Sequence, residues 1–255
     1  MNDTKAYREK KRFFDALITI YGRHSVMEAL EDESITFHKL HLAKSNRPEG
    51  IIAQMISLAG KRGIPIQEHS KEALSRISKN AKQDQGVCAD IIAPNYRDAL
   101  SYFEAAPPAY RLLALDGIQN PQNLGMIIRS AAAGNIDGIL LPRRNSAKLS
   151  PLVIKASAGT LFKIDILHCE RLEEVLERAE GAEIYALSSH APQAIGELRP
   201  KQRAIFVLGN ESDGVSDAVT RLCNASVAIP MNRGVESLNV AVTAALISFM
   251  PPAAQ

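Results

Sequence analysis

The chain has 255 residues, 46% of them hydrophobic, 23% charged and 5% aromatic, which supplies a core for one large domain or two smaller ones and speaks against a disordered or low-complexity protein. Its net charge of +2 says little about partners, although residues 1–93 carry 15 Lys+Arg against 12 Asp+Glu and residues 94–255 carry 15 against 16. No apolar run approaches the length of a bilayer span, and Cys88, Cys169 and Cys223 lie far apart without a C-x-x-C spacing, so thiols in a reducing cytoplasm are expected rather than disulfides.

The chain opens on "MNDTKAYREKKRFFDAL", which has no apolar stretch of secretory type and reads as a basic extension over residues 1–17. Residues 18–94 read as a small α/β domain. Here "HSVMEAL" and "IIAQMISLAGKRG" have helical periodicity, the second ending at Gly60 or Gly63, while "FHKLHLA", "PIQEH" and "GVCADIIA" read as short strands. The stretch 71–82 is helical and charged, a solvated face. His38 and His41 stand three apart in a strand with no acidic ligand beside them, so the spacing does not make a metal pair.

Residues 95–109, around Pro107-Pro108, read as a linker, because such a pair fits neither a helix interior nor a central strand. Beyond it, over 110–255, strands and helices alternate. "YRLLALDGI", "IDGILLP", "EIYALSS", "RAIFVLG" and "ASVAIPM" are apolar without alternation. Helical patterns fall at "NLGMIIRSAAAG", "ERLEEVLERAEG", after Gly214, and at "SLNVAVTAALISFM". Apolar strands each followed by a helix predict a mostly parallel sheet covered on both faces, with ligands at the carboxyl ends of its strands. Polar clusters fall there, after Ile118, Leu208 and Met231. The acid-free run "RRNSAKLSPLVIK" is either a solvated surface or a contact for a phosphate backbone.

Three clusters carry candidate chemistry. In "NPQNLGMIIRSAAAG", Asn120-Pro121 opens a helix, and Arg129 stands one turn beyond Gly125; either the missing side chain leaves room for close approach of a ligand, or this is an Asn-capped helix with a surface Arg. "GNESDGVS" follows a strand and has the glycines and final Ser of a phosphate loop, but Val215 occupies the lysine position and Glu211 and Asp213 add negative charge. That chemistry disfavours ATP or GTP; the loop is either a plain helix start capped by Asp213 or Ser216, or a site for a nucleoside cofactor with a cationic centre, such as S-adenosylmethionine. In "IPMNRGVESLNVAV", Ser237 and Asn239 stand at the opening of the last helix, where Ser237 is either a cap or a ligand contact.

Taken together and in this order, "NLGMIIR", "LGNESDG" and "IPMNRGVESLNVAV" resemble the three signature motifs of the SpoU (TrmH) family of RNA ribose 2′-O-methyltransferases, over about Tyr110 to Met250. The segment from "IYGRHSVMEAL" to "QGVCADI" resembles the family's substrate-binding domain, although Asp84 precedes Gln85-Gly86 where many relatives have His. The resemblance implies an α/β fold, a mostly parallel sheet with a C-terminal trefoil knot, preceded by a small RNA-binding domain. It also implies a cytoplasmic homodimer that shares its site, S-adenosyl-L-methionine as cofactor, and structured rRNA or tRNA as partner. By position, Gly209, Ile229 and Leu238 match the family's cofactor contacts, and Asn123, Arg129, Glu211, Ser237 and Asn239 match its catalytic or substrate-side positions. Arg129 is expected to hold the ribose and its phosphate and to stabilise the developing alkoxide, since a guanidinium stays charged and is no base. A non-catalytic RNA-binding protein and an antibiotic-resistance methyltransferase of the ribosome are the alternatives.

Overall fold

The structure, a computed structural model, describes residues 17–33, 35–79, 81–93, 95–105 and 107–251. The expected basic extension lies outside these residues except for Leu17. The chain divides into two compact units, Met1–Pro94 with Leu149–Ile154, and Asn95–Lys148 with Lys155–Gln255.

The first unit is a four-stranded sheet in the order β1-β4-β2-β3. Its strands are β1 (Leu17–Tyr21), β2 (Thr36–Ala43), β3 (Ile66–His69) and β4 (Val87–Ile92); β4 runs antiparallel to β1 and β2, and β3 is parallel to β2. Alternation sorts the side chains by face. Ile18, Ile20, Leu40, Leu42, Ala89 and Ile91 are buried on the face that meets α1 (Arg23–Glu31), which in turn packs on α2 (Ile51–Lys61). On the opposite face α3 (Lys71–Ser78) sets Leu74 and Ile77 against Ala43, Cys88 and Tyr21. Ser70 caps α3 by accepting from the Ala73 amide at 3.2 Å. Asp84 is buried and accepts from the Ser78 hydroxyl at 2.9 Å and the Gly86 amide at 3.0 Å, so this acid shapes the turn into β4.

The second unit is an eight-stranded sheet in the order β10-β12-β9-β11-β6-β7-β8-β5, parallel at every pairing. The central strands β6 (Tyr110–Leu115) and β7 (Gly138–Pro142) are buried at every position, as expected of strands covered on both faces. Outward from them lie β11 (Arg203–Leu208), β9 (Glu183–Leu187), β12 (Ala225–Ala228) and β10 (Gln193–Ala194) on one side. On the other lies β8 (Asp165–Cys169), which the sequence reading missed. The stretch expected as a linker is structured: β5 (Tyr96–Asp98) extends the sheet beside β8, and Asp98 caps α4 (Ala99–Glu104) by accepting from the Ser101 amide at 2.9 Å. The proline pair only follows that helix, and this unit begins at Asn95.

Two helices frame the carboxyl end of this sheet. Asn120 caps α5 (Pro121–Ala133), accepting from the Gln122 amide at 2.8 Å, with Pro121 in the first turn where no amide is needed. Shorter helices follow: α6 (Pro151–Ala156), α7 (Leu172–Leu176) and α8 (Asp217–Thr220). The last, α9 (Val240–Ser248), packs along α5. At their far ends the two backbones touch. A Cβ on Gly134 would lie 2.3 Å from the Ser248 carbonyl oxygen, and the Asn135 amide donates to that oxygen at 2.6 Å. The buried Arg111 guanidinium then donates to the carbonyls of Met250 and Pro251 at 2.9 and 2.7 Å, satisfying groups the helix end leaves bare. The pair therefore runs in one direction, with both amino termini at the carboxyl ends of the strands.

Candidate active site

The loop after β11 settles what its phosphate-loop look means. A Cβ on Gly209 would fall 1.9 Å from the Gly214 carbonyl carbon, so the loop closes on itself through a glycine that no other residue can replace without a shift. Asn210 does the closing. Its side-chain oxygen accepts from the amides of Ser212 and Asp213 at 2.8 and 2.7 Å, and its carbonyl accepts from the Gly214 amide at 3.1 Å. The Ser216 amide donates to Asp116, in the loop after β6, at 2.8 Å. Amides that a phosphate loop would aim at its ligand are thus already engaged. Asn210 and Asp116 went unnoticed in the sequence, where an Asn one residue after a strand-ending Gly is the available sign of an Asx turn.

Glu211 leaves this loop and accepts from the side-chain amide of Asn123, which is buried in the first turn of α5. The Asn123 side-chain oxygen Oδ1 accepts from the Asn239 side-chain amide at 3.2 Å, and Asn239 Oδ1 accepts from the Ala241 backbone amide at 2.9 Å. A carboxylate at one end and a helix amide at the other leave each asparagine one possible orientation. Three of the five expected catalytic residues are therefore joined in one hydrogen-bonded row. It ties the loop after β11 to the amino termini of α5 and α9, where the helix dipoles favour negative charge. Asn239, rather than Ser237, caps α9; Ser237 is exposed two residues earlier.

Arg129 is apart from this row. It follows Asn123 by six residues, about 120° around α5 and about 9 Å along it. Its side chain is exposed, on the same outward face as Met126. On α9 Val242 and Leu246, and just after it Phe249, are exposed at helical spacing, the last at 61%. Of the expected cofactor contacts, Gly209 lies in the loop described above, and Ile229 and Leu238 are half-buried at the two ends of the segment joining β12 to α9. A cavity of about 370 Å³, lined by Phe103, Tyr110 and Arg203 among others, lies where β6 and β11 begin and holds none of these residues. Among the described residues no group of His, Cys, Asp and Glu is arranged to hold a metal ion.

The sequence matches the SpoU rRNA Methylase family over residues 110–249 and the RNA 2′-O ribose methyltransferase substrate-binding family over residues 19–97. An uncharacterized tRNA/rRNA methyltransferase of Mycobacterium ulcerans (strain Agy99) is 31% identical over 238 residues, covering 91% of this chain and 76% of the relative. Among solved structures, the SpoU methyltransferase AviRb from Streptomyces viridochromogenes in complex with the cofactor AdoMet shares the fold with a TM-score of 0.60 at 21% identity, covering 96% of this chain and 92% of that one. An AdoMet-bound rRNA methyltransferase from Sinorhizobium meliloti shares it with a TM-score of 0.58 at 22% identity, covering 96% and 88%. With the first match running from β6 to α9 and the second covering the four-stranded unit from β1 and reaching into β5, the chain belongs to the SpoU rRNA methylase family.

Proposed function

We propose that this protein is an S-adenosylmethionine-dependent methyltransferase that modifies a ribose 2′-OH of rRNA or tRNA, acting in the cytoplasm as a homodimer whose site draws on both subunits. The observation that carries the reading is the Glu211–Asn123–Asn239 row at the carboxyl ends of β6 and β11. Beside it stands a loop whose amides are spent on Asn210 and whose charged side chains are acids. That loop fits a nucleoside with a cationic centre and no phosphate. Gly209, Ile229 and Leu238 would hold it, the first through bare backbone. When bound, S-adenosylmethionine supplies a methyl group activated on a positively charged sulfur.

What the chain contributes is orientation and charge. The row fixes the two loops against the paired helix termini, which is the preorganisation an in-line attack by a weak nucleophile requires. A guanidinium stabilises the alkoxide that develops on the ribose, and the proton passes to water or to a neighbouring phosphate. Within one chain Arg129 is exposed beside Met126 on α5, and on the helix packed along it Val242 and Leu246, with Phe249 just after its end, are exposed apolar residues. A second copy covering this face would bury the apolar residues and bring Arg129 of the partner subunit toward the row. A knotted path is in keeping with the strand order. From β12, which lies beyond β9 in the sheet, the chain continues through residues 229–239 to α9, which packs beside α5.

The test is single-turnover methyl transfer with Arg129→Lys, which keeps the charge and the helix but loses the planar fork. Transfer is expected to fall roughly a hundredfold with cofactor binding near that of the parent. Mixing Arg129→Lys with Asn123→Ala tests the shared site: with random exchange, about a quarter of all sites regain both residues. Parent-like transfer by Arg129→Lys returns Arg129 to an ordinary surface residue, and absence of recovery in the mixture removes the sharing.

A further inference from the structure

One polar row lies outside the methyltransferase unit, on the face of the small sheet that α3 covers only in part. It crosses all four strands, with one residue from each in their spatial order: Thr19 on β1, Asp90 on β4, His41 on β2 and His69 on β3. The Thr19 hydroxyl donates to Asp90 Oδ1 at 2.7 Å. His41 Nε2 lies 3.0 Å from Asp90 Oδ2, and His41 Nδ1 lies 2.9 Å from His69 Nε2. His41 is buried, whereas His69 is half-buried on the edge strand. The acid that the sequence seemed to deny His41 comes from 49 residues away, across the sheet.

Every proton of this row follows from its ends. Burial pushes the Asp90 carboxyl up, but hydrogen bonds from His41 and Thr19 outweigh it and hold it below the ordinary carboxylate range. An ionised Asp90 only accepts, so His41 must donate through Nε2. With that proton on Nε2, Nδ1 of His41 is the acceptor, and the contact with His69 is a donation from His69 Nε2. That leaves the lone pair of His69 on Nδ1, which has no hydrogen-bond partner among the described residues. It is the one place in the row where a proton enters without breaking a bond. Once there, the charge is shared along the row, because the bridging proton can move onto His41 beside the Asp90 carboxylate.

The surroundings decide what would bring that proton in. Burial lowers the His69 value, and His41 and Lys39 lower it further, so the uncharged ring is favoured. Lys39 lies on the same face and donates to Gln67 at 3.0 Å, the Lys44 amide donates to the His69 carbonyl at 2.8 Å, and Lys71 follows two residues later. His38 acts on Asp90 from the bulged part of β2. The Cys88 thiol, pushed up to about 12 by burial and by Asp90 and Asp84, stays neutral. Glu68, Lys71, Glu72 and Arg76 are exposed, and Glu72 is held low by backbone and Ser70 hydrogen bonds at the start of α3. The two groups that act on the half-exposed imidazole, His41 and Lys39, are both bases, while Asp90 is taken up by His41 and Thr19 and the acids Glu68 and Glu72 are exposed.

We propose that this row is a proton-coupled phosphate site: an RNA phosphate binds at His69 beside Lys39, and one proton from solvent is taken up on His69 Nδ1 and donated to a phosphate oxygen. This rests on the reading of the protein as an RNA methyltransferase and adds to it a named contact in the small domain and a pH dependence of substrate binding. The sign is set by linkage. The free ring has its value lowered and the phosphate-bound ring has it raised, so affinity increases as pH falls through the ordinary histidine value of about 6.5, by up to tenfold per unit.

The experiment uses the full chain with unfractionated tRNA and, separately, fragmented total rRNA, at pH 5.5 to 8 and constant ionic strength. The parent is expected to gain affinity toward low pH, and His69→Gln, which can still donate to His41, is expected to lose most of that gain. A second readout needs no variant: the His69 ring, followed by NMR across the same range, titrates at higher pH with RNA than without. An unmoved ring titration, or an equal pH slope in His69→Gln, overturns the site while leaving the RNA methyltransferase reading intact. Absence of RNA binding at every pH overturns both.

Discussion

The two sheets place polar chemistry in opposite ways. In the eight-stranded sheet, β6 and β7 are buried at every position, and their one charged side chain, Arg111 near the start of β6, is spent on the Met250 and Pro251 carbonyls. Its polar residues gather where the strands stop, and they are held by an Asx turn, two helix caps and one loop acid. The four-stranded sheet has one face packed on α1 and another that α3 covers only in part. There a polar row runs straight across the strands and is held by register alone. A sheet covered on both faces confines its chemistry to loops, whose backbone amides must all be accounted for. A half-covered sheet carries it in mid-strand, where one residue of slip would turn every member of the row to the other side.

The largest effect expected is that of Gly209→Ala. Its Cβ would meet backbone 1.9 Å away, which no side-chain rotation relieves. The loop must open, displacing Glu211 from Asn123. Methyl transfer is expected to fall by more than about a hundredfold, and the stabilisation by S-adenosylmethionine, roughly 2.7 kcal/mol at 100 times its dissociation constant, is expected to vanish from thermal melts. RNA affinity, read in parallel, stays near that of the parent if the two sheets work separately. Loss of both at once would break the comparison.

Next is Asn123→Asp, which removes the donor to Glu211 and sets a second carboxylate in its place. Asn123 is buried, so a cost of about 2–3 kcal/mol is expected, a fall of roughly 5–10 °C in the melting of this unit. Protonating either acid restores the bond, so the deficit should narrow as pH is lowered toward 5. Asn123→Ala lacks that recovery and serves as the control. A deficit independent of pH would mean that the row does not hold the loop.

These two sites differ in how far the sequence exposed them. Asn123, Glu211 and Asn239 were legible because three motifs in a fixed order mark them, and apolar strands each followed by a helix gave the parallel sheet. What the sequence hid was pairing. Asp165–Cys169 is a five-residue run that becomes a strand only between β7 and β5, and Asp98 had to cap a helix before the supposed linker became β5 and α4. The outward direction of Arg129 was hidden as well. Its spacing from Gly125 says which residues lie near it along α5, but not that the face is open within one chain. His41 and Asp90 belong together only through the β2–β4 register, which local periodicity does not encode.

In the small sheet a milder effect is expected from Asp90→Asn. It exchanges a charged acceptor for a neutral one, at a cost of roughly 1–2 kcal/mol, seen as faster hydrogen exchange of the β2 and β4 amides. The pH dependence has a definite sign. The folded value of Asp90 lies below its unfolded one, so its contribution is complete above the ordinary value of about 3.9 and is lost as pH falls through the folded value. The gap between parent and variant should therefore be constant from pH 7 to 5 and close only in stronger acid. A gap that already closed between pH 7 and 5 would mean that the Asp90 carboxylate does not hold the row.

The smallest effect compares the two sheets directly, through their thiols. Burial, then Asp90 and Asp84, push Cys88 in β4 up to about 12. Burial, then Asp98 and nearby glutamates, push Cys169 in β8 up to about 12. Cys223, half-buried near Asp116, is raised to about 11, chiefly by burial. At pH 8 a thiol of that first kind is ionised in only about one molecule in ten thousand, and alkylation needs the thiolate. Cys223 should therefore react first with iodoacetamide, about tenfold faster by ionisation alone. Cys88 and Cys169 should react only when their own sheets open. The four-stranded sheet has the smaller core and one partly open face, so it should open more readily, and Cys88 should be labelled before Cys169. Labelling Cys169 first would mean that the doubly covered sheet is the weaker of the two, and that burial on both faces does not confer the rigidity its loop-borne site requires.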